Sequence, residues 1–341
     1  MTKTVKCLVW DLDGTLWDGT LLEDEDNIRL RFEVTNVVRG LDERGILQSI
    51  ASRNDYDSAV KKLKELGLEE YFLYPQITWG AKSESIRAIA KELGIGLDSI
   101  AFMDDSPAEL HEVSLSCPEV RCYDARDYNT LLSLPEFTPE FLTEDSKSRR
   151  SMYRSDMLRR HEERDYAGTN EEFLKTLDME LTISPVRDGD LERVEELTLR
   201  TNQLNSTGLT FDMDELKGFI GSKNHVFLIA GLRDRFGTYG KIGLVLAEET
   251  DSAFTVKLLI MSCRVMTRGV GSALLVCLTQ LAAEKGKALL ADFVDTGKNR
   301  VMYVTYKLLG FEEDDRDGDA SKLCYSGGAK SLPGYLKVIF E

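Results

Sequence analysis

V-K-C-L-V-W-D-L-D-G-T-L, residues 5–16, is the stretch that decides the fold of this chain. Its apolar run predicts a buried strand over Lys6–Trp10, and two carboxylates, Asp11 and Asp13, leave the C-terminal end of that strand. In an open α/β sheet, ligands bind at the carboxyl ends of the strands. Two carboxylates this close repel each other unless a cation or a proton lies between them, so the pair indicates Mg²⁺. The alternative is a charged turn that only caps a strand.

The composition limits the classes of protein to which this chain can belong. Its 341 residues suggest about two globular domains, and a net charge of −16 argues against general binding to nucleic acid or to anionic membranes. The six cysteines show no C-x-x-C pairing, which argues against a zinc site or a disulfide framework. Residues 1–6 are too short and polar for a signal peptide, and no apolar run reaches membrane length. We expect a cytoplasmic protein with reduced thiols and no membrane partner.

Two further predicted strands also end in polar residues. Ile46–Ala51 leads into Ser52-Arg53-Asn54, and Ile100–Met103 leads into Asp104-Asp105. A small hydroxyl between a strand end and a helix start is a phosphate-binding arrangement, although Ser and Asn also cap helices routinely. Adjacent carboxylates at a strand end again favour a cation.

The helices predicted between these strands contribute one more candidate. Apolar spacing predicts helices over Phe32–Arg44 and Asp57–Leu66, and a third helix that opens near Trp79 and runs to about Leu93. Lys82 lies at the start of the third helix, where a positive charge opposes the helix dipole. A solvated surface charge is the ordinary explanation for such a lysine, and a functional role is the other.

The ordered set D-L-D-G-T, Ser52, Lys82 and Asp104-Asp105 resembles the four motifs of the haloacid-dehalogenase (HAD) phosphotransferases. The resemblance implies that Asp11 is the nucleophile and Asp13 a general acid/base. It also implies that Ser52, with Arg53 and Asn54 beside it, holds the phosphoryl group and that Lys82 steadies an aspartyl-phosphate. Mg²⁺ would then be bound by four carboxylates, namely Asp11, Asp13, Asp104 and Asp105. Too few residues separate Asp13 from the first predicted helix for a separate cap domain, so we expect an open site.

The α/β pattern stops near Pro135–Pro139. Residues 144–178 are rich in both signs of charge and predict a solvated helical linker. The alternative is that its arginines (Arg149, Arg150, Arg154, Arg159 and Arg160) form a basic strip that meets an acidic carrier protein. The sequence thus predicts domains over residues 1–143 and 179–341.

A second pattern begins after residue 179. Predicted strands include Val226–Leu232, Ile242–Glu248 and Phe254–Met261, and the last is followed by a Gly-rich turn and an apolar helix. Free amides at such a helix start can cradle a pyrophosphate, here with Arg268, Gly269 and Gly271. The pattern resembles the GNAT acetyltransferase fold, whose cofactor is a pantetheine thioester. Its usual Q/R-x-x-G-x-G/A motif has Met266 at the first position here.

With the HAD motifs before them, three stretches resemble the FkbH-like family: Arg200–Gly208, Gly243–Glu248 and Ile260–Arg264. The resemblance implies a HAD-like Rossmannoid parallel sheet with a minimal cap, followed by a GNAT-like α+β domain. It further implies a glyceryltransferase/phosphatase of polyketide pathways. Such an enzyme takes 1,3-bisphosphoglycerate, removes phosphate and places the glyceryl group as a thioester on an acyl carrier protein.

Acyl transfer in the second domain needs a nucleophile, and Cys263 is the candidate. It follows a predicted interior strand and precedes the Gly-rich turn, where Arg264 and Arg268 would favour a thiolate. An inert buried thiol is the alternative. The base is open between His225 and Asp234, either of which could instead be structural. For the glyceryl hydroxyls the sequence offers Asn202, Gln203 and Asn205, although Asn clusters are also common in turns.

Two other functions compete with this interpretation. The first is a HAD phosphatase fused to a conventional acetyl-CoA-dependent N-acetyltransferase, against which Met266 speaks. The second is a non-catalytic docking module for a synthase, against which the intact motif set speaks.

Overall fold

The computed structural model describes residues 4–139, 142–201 and 203–341 of the chain. The chain divides into two units, Met1–Arg154 and Ser155–Glu341, called here the N-terminal and C-terminal units. The division falls inside one helix, Arg149–Asp165. The segment predicted as a linker, residues 144–178, spans this division.

The N-terminal unit is built on a five-stranded parallel sheet. Its order is β5-β4-β1-β6-β7, so the strand predicted from the opening stretch lies at the centre between β4 and β6. All four residues of β1 are buried, which explains why this strand reads as a continuous apolar run without alternation. The strands of this unit are β1 (Cys7–Trp10), β2 (Trp17–Asp18), β3 (Arg29–Leu30), β4 (Leu47–Ser52), β5 (Gln76–Ile77), β6 (Ile100–Asp104) and β7 (Arg121–Asp124).

Helices connect the parallel strands and cover the sheet. They are α1 (Val34–Glu43), α2 (Tyr56–Glu65), α3 (Lys82–Leu93), α4 (Pro107–Ser116) and α5 (Glu144–Lys147). The first helix begins two residues later than predicted because Glu33 adopts a left-handed backbone conformation, which leaves Phe32 outside the helix and exposed. Between Asp13 and α1 the chain forms only the β2–β3 ribbon and a short 3₁₀ turn, as expected for a minimal cap.

The C-terminal unit contains an eight-stranded mixed sheet of order β13-β14-β12-β11-β10-β9-β8-β15. Most neighbours are antiparallel, whereas β11 and β12 run parallel and pair only between Ala253–Val256 and residues 288–291. The strands are β8 (Met179–Pro185), β9 (His225–Asp234), β10 (Gly237–Glu249), β11 (Ala253–Met261), β12 (Ala288–Val294), β13 (Phe311–Asp317), β14 (Ala320–Tyr325) and β15 (Leu336–Phe340). Beyond Val256 the two parallel strands therefore no longer pair with each other.

Helices pack on both faces of this sheet and enclose two apolar cores. They are α6 (Arg149–Asp165), which carries the division between the units, α7 (Asn170–Thr176), α8 (Leu191–Arg200), α9 (Met213–Phe219), α10 (Val270–Glu284) and α11 (Arg300–Leu309). The helix that follows the Gly-rich turn, α10, buries nine of its fifteen residues, which accounts for its largely apolar sequence.

The fold class predicted from the sequence is confirmed: an α/β unit with a parallel sheet precedes an α+β unit with a mixed sheet. In the part of the chain that the structure describes, no helix combines the length and the apolar character that crossing a bilayer requires.

Candidate active site

A cavity of about 390 Å³ opens at the carboxyl end of the N-terminal sheet. Its walls come from the ends of β1, β4 and β6 and from the starts of α3 and α4, because the carboxyl ends of parallel strands meet at one edge. The residues that line it are Asp11, Asp13, Gly14, Gly19, Thr20, Ser52, Arg53, Lys82, Asp104, Asp105, Ser106 and Glu109. Residues that are widely separated in the sequence thus meet where the motifs predicted a site.

Lys82 binds Asp11 at the bottom of this cavity. Its Nζ donates a hydrogen bond to Oδ1 of Asp11 and another, of 2.7 Å, to the carbonyl oxygen of Ala51. Only 3% of the lysine side chain is exposed, so the solvated-charge interpretation of Lys82 is wrong. The first residue of α3 points its ammonium into the site, where carboxylates offset the unfavourable helix dipole.

Three carboxylates in this cavity could hold a metal ion. One oxygen from each of Asp11, Asp104 and Asp105 lies within 4.8 Å of the other two. Oδ2 of Asp104 is buried and accepts no hydrogen bond, and Nζ of Lys82 lies 3.2 Å from it. Oxygen ligands of this kind suit Mg²⁺, which is bound by a few carboxylates together with water and phosphate. The residues present therefore fit the predicted ion.

Gly14 shapes the same part of the cavity. It has a left-handed backbone (φ +68°), and a Cβ at this position would lie 2.4 Å from Oδ2 of Asp105. The glycine in D-L-D-G-T thus serves two purposes: it permits the turn, and it makes room for a carboxylate of the cation group.

The electrostatics of the cluster also indicate a missing positive charge. Burial raises the pKa of Asp11, while its bonds to Lys82 and Ser52 oppose the rise. Burial and the negative charge of Asp11 raise the pKa of Asp104 to about 7. Burial alone would lower the pKa of Lys82, yet Asp11, Asp104 and Glu109 together raise it. Because Arg53 pairs with Glu109, Lys82 is left to balance the carboxylates of Asp11, Asp104 and Asp105, which one ammonium does not do and a divalent cation would.

Asp13 occupies a different position from the one predicted. Its Oδ1 accepts hydrogen bonds from the indole of Trp17 (2.7 Å) and from the amide of Leu21 (3.1 Å), and its Oδ2 accepts one from Asn54 (3.1 Å). The carboxylate is not among the three that approach one another, because its oxygens are held by the segment that leads into the β2–β3 ribbon. Asp13 lines the cavity, a position that fits its predicted role as a general acid/base. Its side chain does not lie with the three carboxylates that could bind the metal ion.

The predicted phosphate-binding residues have different environments. Ser52 is buried and hydrogen-bonds to Asp11, and Asn54 is buried and fixes Asp13. Arg53 emerges between them with 47% of its side chain exposed. Sequence reasoning missed Glu109, whose Oε2 lies 3.0 Å from Nζ of Lys82 and whose Oε1 lies 3.0 Å from Nη1 of Arg53. An acidic residue in the first turn of a helix is common, and only its position just after Asp104-Asp105 could have marked it.

In the C-terminal unit, Cys263 begins a short 3₁₀ turn directly after β11. Its side chain is exposed, so the interpretation as an inert buried thiol is wrong.

The two glycines of the turn that follows, Gly269 and Gly271, lie where a side chain would clash with neighbouring residues. Gly269 has φ +74°, and a Cβ there would lie 2.6 Å from the Tyr335 hydroxyl; a Cβ on Gly271 would lie 2.5 Å from Sδ of Met261.

Arg268 does not have the orientation that the sequence suggested. Only 3% of the residue is exposed, and its Nη2 lies 3.1 Å from Oε2 of Glu163 on α6. The guanidinium also lies 6.0 Å from the ring centre of Phe173. In this orientation the side chain makes an ion pair with Glu163 and packs beside Phe173, which does not favour the predicted role of Arg268 in substrate binding.

The predicted glyceryl-binding residues also differ in their burial and contacts. Asn205 is buried and builds a turn, because its Oδ1 accepts hydrogen bonds from the amides of Thr207 and Gly208. Gln203 is exposed, and Asn202 lies outside the described residues. Asn205 is thus a structural residue, and of the two described members of this group Gln203 is the one that a ligand could contact.

The turn that Asn205 builds fills the space where β11 and β12 separate. Met261 N donates to the carbonyl of Leu204, the amide of Ser206 donates to Leu259 O, and Val294 N on β12 donates to the carbonyl of Ser206. The backbone groups that the separation of the strands would expose are thereby used within the chain.

The other charged candidates of the C-terminal half are paired. Asp234 binds Arg159 through two hydrogen bonds, of 2.6 and 2.9 Å, and His225 hydrogen-bonds to Ser222. The arginines of the predicted basic strip bind groups of their own units: Arg149 to Gly45, Arg150 to Asp42 and Glu70, Arg154 to Glu70, and Arg160 to Asp156. These contacts do not favour a free basic strip for a carrier protein.

Comparisons with known proteins give partial similarities. No protein-family model matches the chain, and no curated protein matches it. The N-terminal part of the protein BF1531 from Bacteroides fragilis, which contains a phosphatase domain and was solved with Mg, is 31% identical over 37% of this chain and 38% of that one, with a TM-score of 0.34. The chain thus spans less than half of that relative.

Two further solved structures are similar to parts of the chain. The ribosomal-protein-S18-alanine N-acetyltransferase from Escherichia coli is 16% identical over 45% of this chain and 98% of that one, with a TM-score of 0.34. The 3-deoxy-D-manno-octulosonate 8-phosphate phosphatase from Moraxella catarrhalis, solved with magnesium and phosphate ions and its KDO ligand, is 24% identical over 32% and 63%, with a TM-score of 0.26. Phosphatase domains and N-acetyltransferases are therefore the kinds of structure to which parts of this chain are similar.

Proposed function

We propose that the N-terminal unit is a Mg²⁺-dependent phosphomonoesterase of the HAD type and that the C-terminal unit transfers an acyl group. The observation that supports this most strongly is the buried cluster of Asp11, Lys82 and Asp104 in an open cavity at the strand ends. Phosphomonoester hydrolysis is extremely slow without a catalyst, and a positioned carboxylate nucleophile splits it into two easier steps.

The residues of the N-terminal unit have distinct roles in this reaction. An oxygen of Asp11 attacks phosphorus, the bond from phosphorus to the substrate oxygen breaks, and Asp13 gives that oxygen a proton. Water then gives a proton to Asp13 and attacks the aspartyl-phosphate, which releases inorganic phosphate and the Asp11 carboxylate, while Lys82 and Ser52 hold that carboxylate in position. Mg²⁺, bound by Asp11, Asp104 and Asp105, supplies charge neutralisation for the phosphoryl oxygens.

At a finer level, we propose that the substrate is 1,3-bisphosphoglycerate and that the glyceryl group is delivered to an acyl carrier protein. Its 3-phosphate is a phosphomonoester that the Asp11 site can cleave, and its 1-phosphate already activates the acyl carbon. The Cys263 thiolate attacks that carbon, the bond between carbon and the phosphate oxygen breaks, and phosphate leaves. The thiol of the carrier's phosphopantetheine arm then takes the acyl group, and its proton passes to the sulfur of Cys263 as the bond from that sulfur to the acyl carbon breaks.

The conventional acetyl-CoA-dependent acetyltransferase is supported less well. The backbone amide of Met261 and the carbonyl of Leu259 already bond to Leu204 and Ser206, so a cofactor arm cannot pair with them as long as this turn stays in place. An exposed thiol at Cys263 supports transfer through a covalent acyl-enzyme instead.

Intact-protein mass spectrometry and phosphate release test both levels of the proposal. With 1,3-bisphosphoglycerate and Mg²⁺, we expect release of the 3-phosphate that EDTA abolishes, and a glyceryl adduct on the native chain. Cys263→Ala should lose the adduct and carrier loading but keep phosphomonoesterase activity, whereas the control Cys324→Ala should keep all three. Release of the 3-phosphate in the presence of EDTA would overturn the phosphatase assignment, and normal carrier loading by Cys263→Ala would overturn the covalent route.

A further inference from the structure

Arg53 lies at the rim of the N-terminal cavity between two buried neighbours. Ser52 and Asn54 are only 3% and 2% exposed, so the backbone on both sides of the arginine is fixed. The Arg53 side chain lines the cavity and is 47% exposed. It is therefore a cation on a rigid base that a substrate meets at the mouth of the site.

Glu109 holds the guanidinium in this place. One carboxylate oxygen of Glu109 lies 3.0 Å from Nη1 of Arg53, and the other lies 3.0 Å from Nζ of Lys82. A hydrogen bond of 3.3 Å from Nε of Arg53 to the carbonyl of Gly80 adds a second anchor. The arginine at the rim is thus connected through one carboxylate to the lysine at the bottom.

Of the two basic side chains that line the cavity in the described part of the chain, Arg53 is the one with hydrogen-bond donors available for a further anion. Among the described residues that line it, Lys82 and Arg53 are the two basic ones. The Lys82 ammonium has three N–H donors and already contacts Asp11, Asp104 and Glu109 as well as a backbone carbonyl. Arg53 carries five N–H donors and contacts Glu109 and Gly80, so its half-exposed guanidinium can bind another acceptor.

Resting on the proposed phosphatase function, we propose that Arg53, positioned by Glu109, binds a second anionic group of the substrate. The planar guanidinium matches a carboxylate or phosphate in a two-pronged arrangement, which a lysine cannot reproduce. The site then selects small phosphorylated acids, in which a short chain separates the phosphate from another anionic group. Phosphate esters without that group bind more weakly.

Calorimetric titration separates binding from catalysis. The full chain carrying Asp11→Asn is titrated in the presence of Mg²⁺ with two ligands, 3-phosphoglycerate and glycerol 3-phosphate. Glycerol 3-phosphate has a hydroxymethyl group in place of the carboxylate of 3-phosphoglycerate. We expect 3-phosphoglycerate to bind about tenfold more tightly, since hydrogen bonds to charged groups are worth roughly this factor or more. Adding Arg53→Gln should remove most of this preference, Arg53→Lys should restore part of it, and the exposed Arg126→Gln should leave it intact.

Turnover of the otherwise native chain shows how Glu109 acts. Arg53→Gln should raise KM for 3-phosphoglycerate about tenfold more than for glycerol 3-phosphate, because the contact is made equally in the ground state and the transition state. Glu109→Gln should raise the same KM and also lower kcat for both substrates, since it contacts Lys82 as well. A purely structural role for Glu109 would not separate the two substrates.

The possible results distinguish this inference from the function on which it rests. Equal affinity for the two ligands, no binding of 3-phosphoglycerate, or an unchanged preference in Arg53→Gln overturns the role of Arg53. If the role of Arg53 is overturned but the native chain still releases phosphate in a Mg²⁺-dependent way, the phosphatase assignment stands. Selective binding that depends on Arg53, without any phosphate release, would support the anion site and overturn the phosphatase assignment.

Discussion

Two buried charge clusters, one in each unit, differ in how their charges balance. In the C-terminal unit, Asp234 and Arg159 form a one-to-one pair, and hydrogen bonds from Tyr239 and the Phe236 amide complete the bonding of the carboxylate. In the N-terminal unit, Arg53 pairs with Glu109, and Lys82 faces the carboxylates of Asp11, Asp104 and Glu109.

This difference shows how a structural ion pair can be distinguished from a functional site. A balanced and fully hydrogen-bonded pair offers a ligand nothing to bind, so its contribution is to the folded state. An excess of buried carboxylates, with an Asp104 oxygen that accepts no hydrogen bond, destabilises the folded protein unless a cation binds between them. Such unfavourable arrangements are typical of functional sites. The following predictions test this contrast.

The largest expected effect is on catalysis in the N-terminal unit. Asp11→Asn keeps the shape of the side chain but removes the nucleophile and one negative charge. Phosphate release should therefore fall by at least about 100-fold, as expected for loss of a covalent nucleophile. Asp57→Asn, on the exposed first turn of α2, is the control and should retain native rates. A rate for Asp11→Asn above about a hundredth of the native one would contradict a phosphoaspartate at this residue.

Breaking the balanced pair of Asp234 and Arg159 should lower the stability of the protein and leave its phosphatase activity unchanged. Asp234→Asn leaves the buried Arg159 uncompensated, which should lower the free energy of unfolding by about 3–5 kcal/mol in a denaturant titration. Glu171→Gln breaks the exposed pair with Lys175 and should cost much less, because solvent screens exposed charges. If Asp234→Asn were as mild as Glu171→Gln, the pair would not be the stabilising feature described here.

Much of the N-terminal site could be predicted from the sequence because each functional residue lies at a strand end or a helix start. Such positions are set by local patterns, and parallel topology then brings them to one edge. The strands β1, β4 and β6 and the helices α1 to α3 were expected at nearly their observed bounds for the same reason. Their apolar spacing is strong, and the turns between them are short.

The remaining features depend on contacts between distant residues. Arg159 and Asp234 lie 75 positions apart, and nothing in either neighbourhood indicates the partner. Arg268 follows the pattern of a phosphate-binding turn, yet a tertiary contact with Glu163 turns its side chain inward. Asn205 and Asp13 were similarly misjudged, since the hydrogen bonds that hold their side chains arise only after the fold has formed.

A matched pair of glycines tests the space reserved for the cation group. Gly14 and Gly67 have nearly the same left-handed backbone, but a Cβ on Gly67 would meet nothing within 4 Å. Alanine at either position should cost about 1–2 kcal/mol of backbone strain. Only Gly14→Ala should also displace Asp105 and weaken Mg²⁺ binding, by about tenfold, as is typical when groups around a metal site are disturbed. Equal Mg²⁺ affinities in the two variants would show that Asp105 does not contribute to the site.

The smallest expected effect is on stability at Cys263. Its side chain is exposed, so Cys263→Ala should change the free energy of unfolding by no more than about 0.5 kcal/mol. Cys7→Ala removes a buried sulfur from the central strand β1 and should cost clearly more, which a parallel denaturant titration would show. A large loss of stability in Cys263→Ala would mean that the residue packs rather than reacts.

Calorimetric titration of Mg²⁺ into the native chain and two variants tests the contrast between the clusters most directly. The native chain and Asp234→Asn should each bind one Mg²⁺ with the same affinity, provided that both are folded at the start of the titration. Asp104→Asn, which removes a carboxylate from the unbalanced cluster, should bind it at least about tenfold more weakly. Native affinity in Asp104→Asn, or no binding by the native chain, would contradict the assignment of the unbalanced cluster as a cation site.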